Sequence, residues 1–86
     1  MYDKNWLLDV QETKRNMPAA SVLIGQIRDV PTRNILNDQL RVLVDEFDLR
    51  LAHGHSVADT ADKVRELMIL AKDVTDEQPD YSVIRG

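Results

Sequence analysis

Between residues 32 and 53 the sequence TRNILNDQLRVLVDEFDLRLAH returns apolar side chains every three or four positions. At the α-helical period Leu36, Leu40, Leu43, Phe47 and Leu51 share one stripe, and Ile35, Val42 and Leu49 lie on a flanking line. A strand cannot use this spacing, because its side chains alternate with period two. Two adjoining apolar lines predict a helix with more than one neighbour, the central member of a bundle. With 86 residues there is chain for one domain only, and none of the residues is cysteine, so neither disulfide nor thiolate metal site can reinforce the core.

The flanking segments predict the remaining helices. Trp6, Leu7, Val10 and Met17 carry a near-helical spacing over residues 4–16, with Asp3 as a cap. Pro18 removes a backbone donor and clashes with the preceding turn, so a break is expected there. A second helix then runs over 18–29, with Asn16 as its cap and Ala20, Leu23, Ile24 and Ile27 as its apolar face. Val30 and Pro31 end it, and Thr32 caps the leucine-striped helix over 32–53. Gly54 stands where a left-handed residue closes a helix, and Ser56 opens another over 57–73, with Val57, Ala61, Val64, Met68 and Ala71 as its stripe and Leu67 and Val74 beside it. The expectation is an all-α fold, a small antiparallel four-helix bundle forming a single domain over 1–86, with a short extended C-terminal tail over 75–86. That tail is unusual in placing Tyr81, Val83 and Ile84 among polar residues.

Tested for chemistry, the sequence offers little. His53 and His55 are two apart across a helix-breaking glycine, whereas histidines that chelate from one helix face sit four apart and need further ligands. They read as solvent-facing corner residues, one of them favourable at the negative end of a helix dipole, with a pH-sensitive contact as the functional option. Ser56 follows His55 but has sufficient work as a helix cap, and Asp45, Glu46 and Asp48 fall on the solvated side of their helix. Three glycines, at 25, 54 and 86, cannot make a phosphate-cradling loop. No catalytic, cofactor-binding or metal-binding residues are predicted. Gly25, inside an apolar segment, predicts close helix approach; Met17 and Met68 read as core fillers and Trp6 as the plug of a small core.

Formal net charge is −4, with six basic and five acidic residues in the first 43 positions and five basic and ten acidic in the rest. This balance argues against nucleic acid and anionic lipid as partners. Charges crowd Trp6, Leu7 and Leu8 too closely for a signal-peptide core, and the longest apolar run, Leu67–Leu70, is far short of the roughly 20 residues of a membrane span. A cytoplasmic protein that does not insert into a membrane is expected.

The stretch LRVLVDEFDLRLAHG, followed by KVRELMILA, resembles the enterocin A type of bacteriocin immunity protein, in which a leucine-patterned helix closes on a glycine and a further helix follows. The resemblance covers about residues 23–74. It implies a helical bundle of lactic acid bacteria that protects the producing cell, engaging the bacteriocin-occupied mannose phosphotransferase permease from the cytoplasm without catalysis. The family continues with a fourth helix and a C-terminal segment that governs recognition, whereas here a short tail follows Val74 and an additional helix precedes Leu23. By position alone, Tyr81, Val83, Ile84 and Arg85 correspond to that recognition segment. The alternative is a small helical adaptor or regulatory protein, of phage origin for example, that dimerises through the Leu36–Leu51 stripe or binds a partner. LRVLVDEFDLRLA also resembles the first helix of the helical chorismate mutases, but too little chain remains after Ala52 for the two further helices that fold requires.

Overall fold

The computed structural model describes residues 4–77, and among these the only regular elements are three helices: α1 (Lys4–Gly25), α2 (Val30–Ala52) and α3 (Ala58–Glu77). The all-α expectation holds. The break at Pro18 does not occur, and the helices expected over 4–16 and 18–29 are one continuous helix with Pro18 inside it. Packing explains why. Val10, Thr13, Met17, Ala20, Ile24 and Ile27 are spaced 3, 4, 3, 4 and 3 apart without a phase shift at the proline, and all are buried or half-buried. An interior proline costs about 3 kcal/mol, while full burial of each large apolar side chain contributes roughly 1.5–3 kcal/mol. Breaking the helix would lose register for the side chains beyond it. Pro18 and Lys14, whose carbonyl the missing amide would have bonded, are both exposed, so that carbonyl lies on the solvent side of the helix.

Three contacts fix the topology. The Trp6 indole Nε1 donates to the His55 carbonyl at 2.7 Å, Arg65 pairs with Glu12, and Thr75 Oγ1 lies 3.5 Å from the Leu23 carbonyl. Residues 6, 12 and 23 thus meet 55, 65 and 75 in the same order, so α1 and α3 are parallel and α2 is antiparallel to both. The α1–α3 pair is the most extensive helix contact, and the small buried residues Thr13 and Ala20 on α1 and Ala61 and Ala71 on α3 account for it by letting the two backbones approach. Leu36, Leu40, Leu43 and Phe47 of α2 are bulkier and fill the space between that pair and α2.

The core has two clusters. One gathers Ala20, Ile24 and Ile27 with Leu36, Leu40 and Leu43 and with Val64, Leu67 and Ala71. The other, towards the α2–α3 corner, gathers Val10, Phe47 and Val57, with Trp6 and Leu51 packed against them. Met17 packs against both clusters and Met68 against the first, as core fillers do. The Leu36–Leu51 stripe is therefore largely consumed within the chain, and dimerisation through it would require the core to open.

The helix ends differ in detail from the expectations. Asp29, rather than Thr32, caps α2: its carboxylate accepts from the Thr32 amide at 3.1 Å and from the Thr32 hydroxyl, and Pro31 sits in the first turn, where its missing N–H costs nothing. Asn16, expected as a cap, lies inside α1. Asp3 lies outside the described residues. Gly25 shows no close approach; it is exposed at the last position of α1, and a Cβ there would meet nothing within 4 Å. The chain leaves α1 in a tightened turn, Ile27 N–H donating to the Ile24 carbonyl at 3.0 Å.

At the other corner Gly54 has φ 67°, and His55 N–H donates to the Arg50 carbonyl at 2.9 Å while Gly54 N–H donates to that of Leu51 at 3.2 Å. This is the Schellman closure that the glycine predicted. Ser56 Oγ accepts from the Ala58 amide at 3.3 Å, as a residue opening α3 should.

Candidate functional site

Along the joint between α2 and α3 the described surface is concave and apolar. Here an open groove of about 490 Å³ is lined by Asp38, Gln39, Val42 and Leu43 of α2 and by Lys63, Glu66, Leu67 and Leu70 of α3. Leu43 and Leu67 form its floor, 8% and 4% exposed, while Val42 and Leu70 stand at its walls, 64% and 47% exposed.

Both walls follow from sequence spacing. On α2 Ile35, Val42 and Leu49 recur every seven residues, drifting only about 20° per repeat on an α-helix, so Val42 carries the groove wall along a line on which Ile35 and Leu49 are 58% and 63% exposed. The second apolar line of the leucine helix thus does not find a second neighbour within the described residues; it is left uncovered. On α3 the positions 59, 63, 66, 70, 73 and 77 are spaced 4, 3, 4, 3 and 4 apart and are all exposed. They are Asp59, Lys63, Glu66, Leu70, Asp73 and Glu77; Lys63, Glu66 and Leu70 line the groove, and Asp59, Asp73 and Glu77 continue the same exposed line beyond it.

The histidines and Ser56 sit at the corner between α2 and α3. His53 is the C-cap of α2, and the exposed rings of His53 and His55 meet edge to face with centroids 5.6 Å apart. The His55 carbonyl holds Trp6, and the Ser56 carbonyl accepts from Arg50 at 3.1 Å. Arg50 also pairs with Glu46 at 2.9 Å, while Asp45 and Asp48 are exposed. Arg65 bridges α1 and α3, bonded to Glu12 and, at 2.8 Å, to Asp62; these two carboxylates, Glu12 above all, hold its guanidinium still more firmly protonated than usual. Among the described residues no three His, Cys, Asp or Glu side chains come together as a metal site would require, and no helix is long and apolar enough to cross a membrane.

Tyr81, Val83, Ile84 and Arg85 lie outside the described residues. The groove brings together residues that sequence reading did not assign to a site. Leu70 was legible only as part of an apolar run, and the heptad spacing of Ile35, Val42 and Leu49 was the available signal, since a line that repeats so regularly beside an already sufficient core stripe has no work inside it. No family model, curated protein or solved structure matches the chain.

Proposed function

We propose that this protein is a non-enzymatic binding module whose working surface is the α2–α3 groove, and that a helix of a protein partner, laid on Val42 and Leu70, completes a four-helix bundle. One observation carries the reading: Val42 and Leu70, about half exposed or more, stand over a floor that is already apolar, and Ile35 and Leu49, equally exposed, continue the Val42 line along α2 beyond the groove. Covering each of them would contribute on the order of 1 kcal/mol of area removed from water. Amphipathic helices are recognised in this way, through anchors at helical spacing.

The resemblance over residues 23–74 gives the module a specific setting. In that reading it acts in the cytoplasm of a lactic acid bacterium and protects it by engaging the mannose phosphotransferase permease when a pediocin-like bacteriocin occupies it, with Tyr81, Val83, Ile84 and Arg85 contributing to recognition. The test is expression in a bacteriocin-sensitive strain challenged with a panel of pediocin-like peptides. Survival that is lost on Val42→Ser with Leu70→Ser supports this setting. Unchanged killing of cells expressing the wild-type chain rejects it and leaves the adaptor form of the same binding module.

A further inference from the structure

The groove's border carries information about its occupant. Asp38 and Glu66 line it directly, Asp59, Asp73 and Glu77 continue the α3 line, and Lys63 is the one cation among these six residues. Glu46 stands on the α2 side too, but it is paired with Arg50. Two carboxylates at the lining and three further along the α3 line, against one ammonium group, make a field that attracts cations and repels anions.

From this border we infer that the partner helix is basic and amphipathic: leucine-like side chains meet Val42, Leu43, Leu67 and Leu70, and lysine or arginine side chains flank them opposite Asp38, Glu66 and Asp73. This inference rests on the groove being the binding surface. The apolar line from Ile35 to Leu49 covers 14 residue steps, about 21 Å at helical rise, so a partner segment of about four to five turns spans it. A second copy of this chain is a poor occupant, because pairing two such grooves brings carboxylates against carboxylates. An anionic membrane is repelled for the same reason.

Two synthetic helices of about 18 residues test the inference with the full chain: one with leucine on its apolar face and lysine elsewhere, the other identical but for glutamate in place of lysine. Calorimetric titration in about 50 mM salt should show the lysine helix binding at least about 10-fold more tightly, with the difference shrinking as salt rises. Val42→Ser with Leu70→Ser should weaken it about 10-fold, and Asp38→Lys with Glu66→Lys should reverse the preference.

Equal binding of the two helices, weakened alike by the serine pair, would overturn the basic partner while sparing the groove. Binding of neither helix, or lysine-helix binding that ignores the serine pair, would overturn both. A concentration-dependent dimer dispersed by the serine pair would give the groove to a second copy. A gain in affinity on Tyr81→Ser with Ile84→Ser would give it to this chain's own residues 78–86, and either result overturns the inference.

Discussion

Two threonines show how single polar groups are handled inside this core. Thr13 and Thr60 are both completely buried; the Thr13 hydroxyl donates to the Asp9 carbonyl at 2.7 Å, whereas Thr60 Oγ1 has no partner among the described residues. A buried polar group without a hydrogen bond costs about 1–3 kcal/mol. Thr60→Val should therefore raise stability by about 1 kcal/mol, read as a higher urea midpoint at unchanged slope, while Thr13→Val should gain less or lose. A lower midpoint for Thr60→Val would mean that its hydroxyl is satisfied after all. At Asp29 the two bonds from Thr32, the hydroxyl bond first, hold the carboxyl below its ordinary value of 3.8. A carboxyl lowered in the folded state stabilises that state above its unfolded value, and the contribution disappears as pH falls through the lower folded one. Asp29→Ala should thus melt below the wild type at neutral pH, and the gap should narrow once the pH drops below 3.8. A gap independent of pH would show that the carboxylate's charge has no part in the cap.

At the scale of the elements, α1 tolerates two residues that helices disfavour. Pro18→Ala should stabilise the protein by about 2–3 kcal/mol, since it restores an amide donor for the Lys14 carbonyl and removes the ring's clash with that carbonyl. Gly25→Ala should add about 0.5–1 kcal/mol, because φ is not positive there and the new Cβ enters open space. Thermal unfolding checks both, and a loss on Pro18→Ala would show that the proline shapes α1 to its neighbours. The leucine stripe, the Gly54 closure and the start of α3 at Ser56 were legible because each rests on local chemistry. The continuity of α1 was harder to read. Proline is a strong local signal, whereas the opposing signal, an unbroken 3-4 spacing from Val10 to Ile27, passes through the polar Thr13 and becomes visible only when its far end is known to be buried. The cap of α2 lies three residues before Thr32 because Pro31, which reads locally as a stop, is favourable in the first turn of a helix.

The whole molecule is a bundle with an open side. Small residues draw α1 and α3 together and large ones fill the space towards α2, so the interior closes with three helices while the outer edge of the α2–α3 joint stays apolar and open. A fourth position exists without a fourth helix in the described chain. The groove was only half legible in the sequence: periodicity revealed a second apolar line on α2, but whether that line faced a neighbour or solvent depended on how many helices there were to cover it. The most direct test is amide chemical-shift mapping of the full chain by NMR during titration with the lysine–leucine helix. Saturable shifts should concentrate on residues 35–49 of α2 and 59–77 of α3 and leave the exposed face of α1 around Val22 unchanged. Shifts centred on α1, or an unperturbed joint at saturating peptide, would contradict the account.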